Sequence, residues 1–215
     1  QIVEQKLRII YQELIEEIEI GNNENIPNSK ALYNAKLLFA MVEVAREPET
    51  MDRLAILAKE ATGYKSTGKF DFSKVNPNLI ALALVSGVEV YGVEFADYLL
   101  ANLNTVNDSI TRKRILYAVS QSSNPEIRDQ AMKMLLGFSL RISERISLLQ
   151  AQMGQKENFA VLFLWFKRIY PALSTILPNQ YLEYGPLIAS SVCDKSTLRD
   201  VSGFFSPRLS SLPAA

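Results

Sequence analysis

Helix-start signals recur along this chain at nearly even spacing, and that recurrence limits the folds open to it more than any other feature. Asn76-Pro77, Gly92-Val93, Asp108 and Asn124-Pro125 follow one another at intervals of about 16 residues. Asn or Asp ahead of a first turn accepts from amides that have no helical partner, and Pro just inside the turn presets φ. A helix pair therefore repeats about every 32 residues and continues near Ser143 and Asn158, a period within the range of helical solenoids. Upstream, Leu7, Ile10, Tyr11, Leu14, Ile15 and Ile18 fall three and four apart, which predicts an amphipathic helix ending at Gly21. Leu32, Leu37, Leu38, Met41, Val42 and Ala45 predict a second helix, and Pro48 opens a third that runs to Thr62-Gly63. No stretch alternates convincingly with period two. Residues 75–93 are rich in Val and Leu, but Ala81, Ala83 and the length between Pro77 and Gly92 favour helix over strand.

Composition narrows the function classes. A 215-residue chain that is 48% hydrophobic and 21% charged can bury a real core. Its 23 basic residues balance 23 acidic ones, so no net field draws it to nucleic acid or to an anionic membrane surface. No apolar run approaches the ~18 to 20 residues that span a bilayer, so neither nucleic acid nor a membrane is an expected partner. The opening residues, Gln1 to Gln5, are neither a signal peptide nor an initiator Met and already lie in a helical pattern; the expectation is a chain cut from something longer. Cys193 is the only cysteine, so it forms no internal disulfide and leaves the compartment open, with the cytoplasm as the default. The chain contains no histidine. Without His, and with one Cys, the common zinc ligand sets and the usual general base of Ser or Cys hydrolases are missing.

Four stretches invite a chemical reading. Residues 63–69, Gly-Tyr-Lys-Ser-Thr-Gly-Lys, match a phosphate-binding loop except at the last position. A helix precedes them, Phe70 stands where a hydroxyl should meet Mg²⁺, and no helical run follows, so they read as a basic surface loop. Glu13, Glu16, Glu17 and Glu19 read as a solvated helix face rather than a cation site. The aromatic stripe Phe163, Trp165, Phe166 and Tyr170 has helical spacing, which reads as core before it reads as a stacking box. Arg112, Lys113 and Arg114 are expected in the first turn of the helix opened by Asp108, where the macrodipole disfavours cations by about 0.3 to 1 kcal/mol and invites a compensating anion. A neighbouring carboxylate such as Glu126 or Asp129 would supply it from within the fold. A bound anionic ligand would supply it from outside, and these three are the candidate binding residues.

The C-terminal third carries a resemblance. Helical patterns over 159–177, 180–192 and 196–205 come in fixed order, with Phe163, Trp165, Phe166, Lys167, Tyr170 and Leu173, then Leu177-Pro178, Cys193-Asp194 and Phe204-Phe205. The stretch from Thr111 adds Arg112-Lys113-Arg114-Ile115-Leu116, Asn124-Pro125-Glu126-Ile127 and Leu140-Arg141. In order and spacing these resemble the C-terminal helical domain of the aminopeptidase N family of zinc peptidases. The resemblance implies an all-α, HEAT/ARM-like α-α superhelix of antiparallel helix pairs in a single domain over 1–215, and the ~16-residue recurrence of caps predicts about ten or eleven helices. It also implies that the zinc, its H-E-x-x-H motif and the cleavage chemistry lie in a catalytic domain elsewhere in the same polypeptide. No catalytic, cofactor-binding or metal-ligating residue is expected in this chain. Its expected partners are that catalytic domain and the peptide substrate. Some members carry an arginine near the substrate just before the aromatic helix, but Phe159 stands at that position here, so no such contact carries over. The alternative is a free-standing helical-repeat scaffold that binds a protein partner along its concave face.

Overall fold

A computed structural model describes residues 28–73, 75–137, 139–153, 159–178, 182 and 194–211. Among the described residues there are nine α-helices and no strand. Of the two further helices expected, that over 7–18 lies outside the described residues and that over 180–192 does so except for Leu182, which is helical and buried; Glu13 to Glu19, 155–158 and Cys193 lie outside them too. The chain forms two compact units, Gln1–Arg128 and Asp129–Ala215.

The first unit opens with α1 (Asn28–Phe39), which widens into one π-helical turn, Ala40–Val44. The amide of Ala45 donates to the Ala40 carbonyl at 2.9 Å, and Arg46 then takes a left-handed φ of 46° that ends the helix. Leu38, Met41, Val42 and Ala45 are buried at the helical spacing expected of them. Helix α2 (Pro48–Thr62) has Pro at its start and Glu47 as its cap, the carboxylate accepting from the amides of Glu49 (3.2 Å) and Thr50 (2.6 Å). It ends at Gly63, whose φ of 65° lets Tyr64 N–H reach back to the Lys59 carbonyl at 3.2 Å.

The expected start at Pro77 moves three residues, to α3 (Ile80–Tyr91). Asn76 is the cause. Its side chain accepts from Asn78 N–H at 3.0 Å and its carbonyl from Leu79 N–H at 2.8 Å, a closed turn that competes with the first helical turn. Ile80, Leu82, Ala83, Leu84, Val85 and Val88 are buried around the circumference of α3, which explains why its sequence lacks an amphipathic stripe. Helix α3 packs against α2, against α4 (Val93–Ala101) and against α5 (Ser109–Ser120). Gly87 allows the closest approach: a Cβ there would lie 3.0 Å from the Ala58 Cβ and 2.6 Å from Phe95. Phe95 in turn anchors an aromatic cluster with Tyr64 (ring centroids 5.0 Å apart), Tyr91 (5.6 Å) and Tyr98 (6.5 Å). Tyr98 hydroxyl donates to the Thr62 carbonyl at 2.6 Å and so satisfies the C-terminus of α2. Helix α6 (Pro125–Met134), capped by Asn124 through the Glu126 amide at 2.9 Å, carries the boundary between the units.

In the second unit, α7 (Ile142–Met153) begins with Glu144 reaching back to the Arg141 amide at 2.9 Å. Helix α8 (Phe159–Ile176) contains Pro171 and brings the aromatic stripe against α9 (Lys195–Phe205). Tyr170 meets Phe204 edge-on at 5.4 Å, Phe163 meets Phe204 at 5.9 Å, and Phe166 meets Phe205 at 6.1 Å. Arg208, in the 3₁₀ turn Ser206–Ser211, stacks 4.0 Å above Phe204, and Lys167 pairs with Asp200 at 2.7 Å. Burial of a side chain such as Phe205 contributes about 1.5 to 3 kcal/mol. The final Phe-Phe pair is thus the clasp that holds α9 on α8.

Candidate functional site

Helix α5 presents the three cationic candidates. Asp108 caps it, its carboxylate accepting from the amides of Thr111 (2.7 Å) and Ile110 (3.3 Å). These bonds, led by Thr111, hold the Asp108 carboxyl below its ordinary value, and the nearby Arg114 charge adds to the effect. The first turn is Ser109 to Thr111, so Arg112, Lys113 and Arg114 occupy the fourth to sixth helical positions. Asp108 supplies the anion that this turn invites.

The three cations differ in setting. Arg112 is only 4% exposed, and its Nη1 donates to the Leu103 carbonyl at 2.6 Å. Lys113 is exposed and Arg114 half-buried. The fold divides the run into a buried member and two members that reach water. Beside the first turn lies an open cleft of about 490 Å³ between residues 68–72 and 102–108, lined by Phe70, Phe72, Asn102, Asn107, Asp108 and Thr111.

The loop over 63–69 behaves as its sequence predicts. Ser66 and Gly68 amides both donate to the Gly63 carbonyl at 3.0 Å, and the Lys69 amide donates to Thr67 Oγ1 at 3.3 Å. Amides turned inward this way do not converge on a phosphate. Lys65 pairs with Glu94 at 2.9 Å, and Tyr64 hydroxyl donates to the same carboxylate at 3.2 Å. A second polar cluster went unnoticed in the sequence. Tyr117 donates to Glu43 at 3.2 Å, and Glu89 accepts from the amide and hydroxyl of Ser123 (2.7 and 2.8 Å) and pairs with Arg46 at 3.5 Å. Burial pushes the Glu43 carboxyl above its ordinary value, and burial with the adjacent Glu43 charge pushes Tyr117 up to about 12. Its only sequence signal was a Glu set in the apolar pattern of α1 and its π-helical turn.

No three His, Cys, Asp or Glu side chains among the described residues form a group that could hold a metal ion. No described helix is long and apolar enough to cross a membrane. Set beside known families, residues 3–215 match the model of the ERAP1-like C-terminal domain. The chain belongs to that family. The ERAP1-like C-terminal domain is the C-terminal domain of M1 aminopeptidases and has a helical-repeat, ARM/HEAT-like fold, in agreement with the all-α architecture described above. Such a domain is normally part of a larger zinc aminopeptidase, and this chain carries no catalytic motif of that enzyme. No curated protein matches the chain.

Proposed function

We propose that residues 1–215 act as one non-catalytic domain that packs over the mouth of the catalytic domain of a zinc aminopeptidase, encloses the peptide chamber and limits which peptides reach the metal. The observation that carries this reading is the family match over nearly the whole chain, joined to a sequence without a single histidine. Polarising the scissile carbonyl and activating water would fall to the zinc of the parent's catalytic domain, outside this chain. The part assigned to this domain is exclusion: a covered chamber keeps bulk solvent and wrongly sized chains from the site.

Within that role we assign contact with the peptide to Lys113 and Arg114, whose side chains reach water, with Arg112 behind them on the same helix. The carboxylate end of a peptide supplies the charge they would meet. Replacing Lys113 and Arg114 together by Ala in the full-length enzyme tests this. Stability should change little, because charges that reach water, as the exposed Lys113 and half-buried Arg114 do, contribute about 0 to 1 kcal/mol. The dependence of rate on peptide length should change more than the rate on a single-residue substrate. An unaltered length profile would remove both residues from the site.

A further inference from the structure

Arg145 follows Arg112 by 33 residues, and the two stand at the same place in their helices, the fourth residue of α5 and of α7. In each helix that residue's amide makes a backbone bond onto the residue before the first turn: Arg112 to Asp108 at 3.1 Å, Arg145 to Arg141 at 3.0 Å. Both side chains are buried, 4% and 6% exposed. Each reaches back across the connection that precedes its own helix. Arg112 donates to the carbonyl of Leu103, in the 3₁₀ turn Leu103–Thr105 that follows α4. Arg145 spreads its guanidinium over three carbonyls after α6, Leu140 through Nε at 3.2 Å, Leu135 through Nη1 and Gly137 through Nη2. The accepting residues are equivalent too: Leu135 lies 32 residues after Leu103, and both are 1% exposed.

The chemistry explains why arginine stands there. Carbonyls in the connections that follow a helix lack helical partners for one or both lone pairs; that of Leu103 accepts from the Val106 amide at 3.2 Å and takes the Arg112 guanidinium as a second donor. A planar fork with five donors satisfies several such carbonyls at fixed angles, which a lysine ammonium does not. A guanidinium buried this deeply is disfavoured unless those carbonyls stay in place, so the turn and the side chain hold each other. We propose that Arg112 and Arg145 are one device used twice, a buried lock on the carbonyl of Leu103 and on those of Leu135, Gly137 and Leu140. The lock keeps both turns rigid and excludes them from any opening or closing motion of the domain.

Hydrogen exchange followed by mass spectrometry on the whole chain tests this, comparing wild type with Arg112→Met, Arg145→Met, Arg112→Lys and Lys113→Met. Arg112→Met should speed exchange in peptides covering 102–112 by about tenfold or more, with 135–145 unchanged, and Arg145→Met should do the reverse. Arg112→Lys should give a smaller acceleration in the same window, which keeps the test available if the Met variant does not fold. Lys113→Met should leave both windows as they are. Exchange in 102–112 that is unaltered in both Arg112 variants would overturn the proposal. So would equal acceleration of all helices, the mark of global rather than local opening.

Discussion

Replacing Gly87 by Ala sets two effects of known size against each other. Gly inside a helix costs about 1 kcal/mol relative to Ala, so propensity alone favours the substitution. The added Cβ, however, would lie 2.6 Å from Phe95 Cε1, 3.1 Å from Phe95 Cζ and 3.0 Å from the Ala58 Cβ. Carbon atoms settle at roughly 3.5 to 4.0 Å, so both neighbours must give way. Phe95 and Ala58 are themselves buried, and Phe95 is hemmed in by Tyr64 and Tyr91. Overpacking of this kind costs typically 1 to 3 kcal/mol, and its upper part applies where no flexible side chain can swing aside. The balance is a destabilisation of about 1 to 2 kcal/mol, read as a fall in Tm of about 2 to 8 °C for a chain of this size. Gly203 is the control. It lies in α9 with nothing within 4 Å of its would-be Cβ, so Gly203→Ala should raise Tm by up to about 4 °C. Thermal unfolding followed by far-UV circular dichroism decides the matter. If Gly87→Ala stabilises as Gly203→Ala does, the close crossing of α2, α3 and α4 is wrong.

Two further outcomes follow from the ionisable groups. Burial holds the Glu43 carboxyl above its ordinary value, so the folded state favours its protonated form; that contribution is full in acid and lost as pH rises through the folded pKa. Glu43→Gln keeps an oxygen for the Tyr117 hydroxyl, so it should be more stable than wild type at pH 7 in urea titration, and the gain should vanish below pH ~4. Asp194 has the opposite sign: bonds from Ser196 and Thr197 hold it at about 2, so its support for the start of α9 is present above its ordinary value and lost as pH falls through about 2. An NMR titration of the Thr197 amide should show that low midpoint, and Asp194→Ala should fray α9; a midpoint near 4 would mean the cap is not formed.

What the sequence disclosed and what it concealed divide along physical lines. The caps at Asp108 and Asn124, Pro48 at the head of α2 and Gly63 at its end were legible because each acts on its own neighbours. The aromatic stripe was legible as core because its spacing fits one helix face. The shifted start of α3 was hidden because Asn76 can cap a helix or close a turn, and only the outcome shows which. The sequence points Arg112 to a carboxylate such as Glu126 or Asp129, whereas its acceptor is the Leu103 carbonyl, and carbonyls leave no mark in a sequence. One signal was available: an arginine recurring after 33 residues at one position of a repeat of that period. Gly87 gave no signal of its tight crossing, which depends on residues from two other helices.

The proposed division of labour, with peptide selection in this domain and chemistry elsewhere, is tested by comparing the parent aminopeptidase with and without residues 1–215. Rates would be measured on an aminoacyl chromogenic substrate and on a series of peptides of increasing length, with bound zinc assayed in both forms to confirm an intact catalytic domain. Zinc and turnover of the small substrate should persist without the domain, while the preference among peptide lengths should collapse. A length preference that survives removal of the domain would contradict it.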